Sequence, residues 1–161
     1  MLVLLLCPPT GSLLDRAIDA AEGSPNAPTH VALDDGSGWV IEDVAPVLRA
    51  TPVERFGPAV RRVPLTTTPE QAAAIVAYLR ARVGIGRYDV GQLALDAAGY
   101  ATGHWLVTPW HRQAAVCSGI LAEAFSAAGI LNVAPRDPAT IAPADLAAWA
   151  DAGLPAVWKV A

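Results

Sequence analysis

His30-Val31-Ala32-Leu33-Asp34 and Trp39-Val40-Ile41-Glu42-Asp43-Val44 read as two strands of one hairpin, joined through the turn-forming Asp35-Gly36-Ser37-Gly38. With Leu33 set opposite Trp39, Val31 falls opposite Ile41 and one face becomes apolar, while His30 falls opposite Glu42 on the other face beside Ala32 and Val40. A slip by one residue sets Val31 against Glu42 and Asp34 against Trp39, so the first register is the expected one. It makes His30 and Glu42 direct cross-strand neighbours, with β-carbons within about 5.5 Å. A carboxylate on one ring nitrogen fixes the tautomer of an imidazole and stabilises its protonated form, as a base serving a thiol requires. The plain alternative is a strand-end histidine beside a solvated glutamate.

A partner for that base stands at Ala115-Val116-Cys117-Ser118-Gly119-Ile120-Leu121. From Ile120 the apolar residues Ile120, Leu121, Ala124, Phe125 and Ala128 recur on one helical face, and Gly129 supplies a stop. Cys117 therefore sits at or just before the first turn, where unpaired amides and the positive end of the helix dipole favour a thiolate. Cys117 is the candidate nucleophile; the competing reading is a small buried apolar residue. Cys7 reads as structural, because nothing near it in sequence can act as its base.

The rest of the chain supplies a mixed set of elements. Residues 1–6 read as a buried strand closed by Cys7-Pro8-Pro9, and Thr10 or Ser12 caps a short helix over 13–21. A loop covers 23–28, and the proline-rich 45–58 reads as irregular chain wrapping a surface. A strand is expected over 59–65. Thr68 caps a helix that Pro69 and Glu70 open and Arg82 closes, with Ala73, Ile75, Val76 and Leu79 inward and Gly84 as its end. Gly84-Ile85-Gly86 lacks the further glycine and lysine of a phosphate loop and reads as a stop and a turn.

Asp89 caps a helix over 90–98. The segment 99–112 then gathers Tyr100, His104, Trp105, Trp110 and His111, either as a core plug or as a ligand-facing lid. Its histidines match no zinc spacing with Cys117, so no metal site is expected. A strand over 130–133, a loop over 135–143, a helix opened by Pro143-Ala144-Asp145 and an edge strand over 156–160 complete the chain.

Composition bounds the function. At 161 residues the chain reads as a single domain, 1–161, with a proper core. A formal charge of -4 and scattered arginines give no reason to expect nucleic acid. Two cysteines exclude a disulfide framework. Although 53% of residues are hydrophobic, the one dense aliphatic run, Leu2 to Leu6, is too short for a membrane span or a signal core. No stable membrane insertion and a cytoplasmic start are expected.

With these residues in hand the chain resembles the permuted papain-like cysteine hydrolases, the circularly permuted branch of the NlpC superfamily of cell-wall peptidases, including YiiX-like proteins and, more distantly, lecithin retinol acyltransferases. Thr29-His30-Val31-Ala32-Leu33 resembles the family's histidine strand, Val40-Ile41-Glu42 its third polar residue, and Cys117-Ser118-Gly119-Ile120-Leu121 its nucleophile helix, usually Cys-Ser-Glu-Leu-Val. Histidine before cysteine is the permuted order. Tyr88-Asp89 is similar to a tyrosine motif between the halves, and Ala142-Pro143-Ala144-Asp145-Leu146 to the segment after the nucleophile helix. Gly119 in place of glutamate is expected to be a surface or outer-layer change.

The resemblance implies an α+β, circularly permuted papain-like fold with an antiparallel sheet packed on helices that include the nucleophile helix. It implies a cysteine-dependent peptidase or amidase with a Cys117-His30-Glu42 triad, acting on a peptide or acyl substrate, cell-wall peptides among them, without metal or organic cofactor. Tyr88 and Trp110 are candidate oxyanion or substrate contacts. The alternatives are a lipid acyltransferase or thioesterase, using the apolar surroundings of Trp105 and Trp110, and a binding module without turnover.

Overall fold

The computed structural model describes residues 1–11, 16, 27–85, 87–109 and 114–155. The expected helix over 13–21, the edge strand over 156–160 and Trp110 lie outside the described residues, Arg16 apart. The protein is α+β: among the described residues four α-helices accompany a sheet in the order β5-β1-β2-β3-β4-β6-β7. The strands are β1 (Val3–Cys7), β2 (His30–Asp34), β3 (Trp39–Val44), β4 (Val47–Pro52), β5 (Arg61–Pro64), β6 (Arg87–Tyr88) and β7 (Ala114–Ala115). The five longer strands pair antiparallel, and the parallel pairing is confined to the two-residue β6 and β7.

The hairpin forms where the alternation places it, but its register differs from the expected one by two residues. Asp34 pairs with Val40, Leu33 with Ile41 and Ala32 with Glu42. A slip of two leaves every side chain on its original face, so the apolar criterion cannot detect it. The turn decides instead: Asp34 Oδ1 accepts from Gly36 N and Asp35 Oδ1 from Ser37 N, and Asp35 N donates to Trp39 O.

Residues 45–58 are not irregular throughout. Val47–Pro52 is a full partner of β3, with Pro46 just before it and Pro52 at its last position, where prolines interrupt little of the ladder. The expected strand over 130–133 is absent; that segment is coil whose Ile130, Leu131 and Val133 still fill the core. Burial alone therefore accounts for its apolar run.

Helix α1 (Pro69–Arg80) starts at a capping box in which Thr68 and Gln71 exchange hydrogen bonds. Ile75 and Leu79 are buried and Ala72 and Val76 pack beside them, whereas Ala73 is exposed. Helix α2 (Val90–Thr102) is capped by Asp89 and runs past the expected end at residue 98 to Gly103, which takes the left-handed conformation. Helix α3 (Cys117–Ala127) begins at Cys117 itself, and α4 (Pro143–Asp151) follows a short 3-10 turn, Pro138–Thr140.

The sheet is covered on both faces. Leu2, Leu4, Leu6, Val31, Leu33, Ile41 and Leu48 meet α1, α3 and α4 in the main core, where the Phe125 and Trp149 rings lie 5.6 Å apart. On the other face Leu5, Ala32 and Val40 form a smaller core under Val53, Phe56 and Val60. A strand buried on both faces needs a continuous apolar run, which is what residues 2–6 provide.

Gly99 lies inside α2 because Trp105 packs against it: a β-carbon there would meet the indole at 2.6 Å. Ordinarily Gly→Ala in a helix interior stabilises by about 1 kcal/mol. Here the clash reverses the sign, and Gly99→Ala is expected to destabilise by about 1–3 kcal/mol in urea unfolding. Trp105→Ala should relieve that cost in the double variant. A Gly99→Ala protein more stable than wild type would remove Trp105 from its place as a packed plug.

Candidate active site

His30 opens β2 and Glu42 lies on β3, with Ala32 opposite Glu42. His30 and Glu42 are thus diagonal neighbours on one face, not direct partners, yet long side chains span that distance. His30 Nε2 lies 3.2 Å from Glu42 Oε2. Thr29 N donates to Cys7 O just before β2, holding the approach to His30 against β1.

Glu42 is fixed from its far side. Its Oε1 accepts from Thr51 Oγ1 at 2.6 Å and from Arg49 Nε at 2.9 Å, both on β4. Burial pushes the Glu42 carboxyl upward, but hydrogen bonds from His30, Thr51 and Arg49 outweigh it and hold it at about 2. The carboxylate is therefore charged throughout the neutral range and has one oxygen committed to the imidazole.

Cys117 approaches His30 from the start of α3. Cys117 is 2% exposed and lies close enough to His30 for its charge and hydrogen bonding to act on the imidazole. Burial works against a charged imidazole, but the charge and hydrogen bond of Cys117, with those of Glu42, raise His30 from its ordinary 6.5 to about 10. A protonated His30 is the charge state this arrangement favours.

The helix start leaves donors beside the sulfur. Val116 stands at the N-cap and offers no side-chain hydrogen bond, and Ile120 N donates to Val116 O. The amides of the first turn precede any such partner and form a ready anion cradle at the positive end of the dipole.

Two further titratable groups adjoin the dyad. Cys7 pairs directly with His30 across β1 and β2, so it does have an imidazole beside it, supplied by the fold and not by the local sequence. Burial foremost, then the charges of Cys117 and Glu42, push its thiol up to about 12, which keeps it un-ionised and unsuited as the nucleophile. Asp43 is 3% exposed and its Oδ1 has no hydrogen-bond partner among the described residues. Burial raises it to about 7, with His30 opposing the shift.

Sequence reading identified Cys117, His30 and Glu42, and the structure brings these three together. Arg49 and Thr51 join them from β4, a strand within the proline-rich 45–58 that composition alone presents as irregular. The signal was present: in Val47-Leu48-Arg49-Ala50-Thr51, Arg49 and Thr51 alternate with Leu48 and Ala50, the pattern of a strand with one polar face. Tyr88 ends β6 and pairs with Ala115, two residues before Cys117, which places its backbone near the nucleophile. Gly119 is buried and not a surface position: a β-carbon there would meet the backbone of Ala139 at 3.2 Å, so the glutamate of the resembled motif would require that backbone to give way.

The 104–109 segment is anchored by polar contacts. Gln92 accepts from Thr108 N and donates to Leu106 O and Asp96 Oδ1, while Thr108 Oγ1 donates to Asp89. Arg136 stacks on Trp105 at 3.5 Å and pairs with Asp145. Trp105 is thus held between α2 and Arg136 as a plug. His104 is exposed on this loop, and among the described residues no three His, Cys, Asp or Glu side chains are grouped to hold a metal ion. No described helix is long and apolar enough to cross a membrane. Comparison with protein-family models finds no match to this chain, and comparison with curated proteins finds no similar sequence.

Proposed function

We propose that the protein is a cysteine hydrolase acting on amide bonds, a peptidase or amidase built on a circularly permuted papain-like arrangement. The observation that carries this reading is one imidazole held between the Cys117 sulfur, at the first residue of a helix, and the anchored carboxylate of Glu42. The permuted order of His30, Glu42 and Cys117 supports the assignment of the fold, as does the packing of α3 on β2 and β3.

In the proposed reaction the Cys117 thiolate attacks the acyl carbon of the amide, and the carbonyl oxygen, now an oxyanion, is received by first-turn amides of α3. The imidazolium of His30 gives its proton to the departing amine as the C–N bond breaks, leaving a thioester on Cys117. Neutral His30 then takes a proton from water as its oxygen attacks the thioester. The acid leaves, and the proton returns the dyad to its resting state. Glu42 holds the ring through both steps and offsets its charge. Peptides, cell-wall peptides among them, are the proposed substrate class. Lipid acyl transfer through an apolar loop draws no support from Trp105, which is occupied by Gly99 and Arg136.

The test is the rate of Cys117 alkylation by iodoacetamide from pH 5 to 10, with Cys7→Ser as the background. A thiolate paired with His30 is expected to react at pH 6.5 at least about tenfold faster than a free model thiol, and His30→Ala is expected to abolish that advantage. A rate equal to the free thiol and indifferent to His30 would turn the reading into a binding module without turnover.

A further inference from the structure

A recess of about 480 Å³ opens beside Glu42, lined in part by Glu42 itself, Arg49, Thr51, Arg55 and Phe56. Glu42 is common to the recess and the imidazole: Oε2 faces His30 and Oε1 faces Arg49 and Thr51. A group seated there therefore lies one side chain from the reacting centre.

The charges of this recess do not cancel. Arg49 is engaged by Glu42, whereas Arg55, at the end of the 3-10 turn Val53–Arg55, is exposed and forms no ion pair among the described residues. With Arg49 offset by Glu42, Arg55 leaves the lining of the recess positive on a chain of formal charge -4. Phe56 is half-buried on the small core of Leu5, Ala32 and Val40 and borders the recess with an apolar ring. One uncommitted guanidinium beside an aromatic ring suits a monoanion on a methylene stem. A phosphate dianion would meet the Glu42 carboxylate with only that single counter-charge.

We propose that this recess is the subsite for a carboxylate of the peptide substrate, with Arg55 as its ion-pair partner and Phe56 against its stem; the proposal rests on the hydrolase reading. An acidic side chain and a chain-terminal carboxylate share this chemistry. Selection would act through Arg55 because Arg49 is already committed to orienting Glu42.

The experiment uses bromoacetyl-Ala-Gln amide as a neutral alkylating probe of Cys117, with two matched probes: bromoacetyl-Ala-Glu amide and bromoacetyl-Ala-Gln free acid. At low salt, one carboxylate probe is expected to react about fivefold faster than the neutral one, and the identity of that probe names the source of the carboxylate. Arg55→Gln should bring the ratio near one, and Arg55→Glu should invert it in favour of bromoacetyl-Ala-Lys amide. An unchanged ratio in both variants would overturn the subsite while leaving the nucleophile intact.

Binding of N-acetylglutamate, followed by NMR at the arginine Nε–H resonances of the unreacted protein, reads the subsite without chemistry. Shifts at Arg55 larger than those caused by N-acetylglutamine support it. Equal shifts overturn it whatever Cys117 does. Slow, His30-independent alkylation by all probes would instead strike the hydrolase reading.

Discussion

Cys117→Ser is expected to lower turnover of every accepted amide substrate by about a thousandfold or more while leaving the fold in place. Serine and cysteine have the same shape, and the position is 2% exposed in the main core, so the cost in stability is small beside the chemical loss. The loss is large because a hydroxyl beside His30 is far less readily ionised than a thiol. His30→Ala removes the proposed base of the same dyad. The double variant should therefore be scarcely slower than either single one, since groups that act as a unit are not additive. The measurement is kcat/KM on each intact peptide that wild type cleaves from a synthetic library, with thermal unfolding alongside. Turnover surviving in Cys117→Ser would move the nucleophile elsewhere.

Glu42→Ala is expected to cost roughly 2–4 kcal/mol of folding stability, because it strips His30, Thr51 and Arg49 of a common acceptor. The lower part of that range applies to the Arg49 contact, since that side chain is 56% exposed and screened. Glu42→Gln keeps the shape and removes the charge, so it isolates the pH dependence. Glu42 is depressed from 4.5 to about 2, so its contribution is fully present above 4.5 and is lost as pH falls through 2. His30 is raised from 6.5 to about 10, so its contribution is complete below 6.5 and is lost as pH rises through 10.

The stability difference between wild type and Glu42→Gln should accordingly be greatest between pH 4.5 and 6.5 and decline on both sides. Asp43 works against the fold in part of this range: raised from 3.8 to about 7, it costs nothing at low pH and a growing amount as pH climbs to 7. Because Asp43 is present in both proteins, its cost is shared and largely drops out of the difference. Denaturant unfolding at a series of pH values reads the curve directly. A difference that is flat with pH would dissociate Glu42 from the titration of His30.

Local pattern carried much of this molecule. The alternation of residues 30–34 and 39–44 determined two strands and which face each side chain takes, because a strand's period is a property of its own backbone. The helical recurrence after Ile120 determined α3 and set Cys117 at its first turn, and Thr68 and Asp89 marked two further helix starts through their capping bonds. Those signals need only neighbours in sequence.

What required the tertiary structure lies between distant segments. The hairpin register was decided by side-chain bonds within its turn, since a shift of two residues costs the apolar face nothing. The approach of Cys117 to His30 joins residues whose separation in sequence carries no periodic trace. Cys7 meets His30 only because β1 inserts between β5 and β2. Arg49 and Thr51 reach Glu42 only because β4 continues the sheet beyond β3. Sequence therefore determined which groups are candidates for the proposed chemistry and on which local element each sits. Strand order and helix docking decided which of them touch, because those choices depend on burying apolar faces together and not on the period of any one segment.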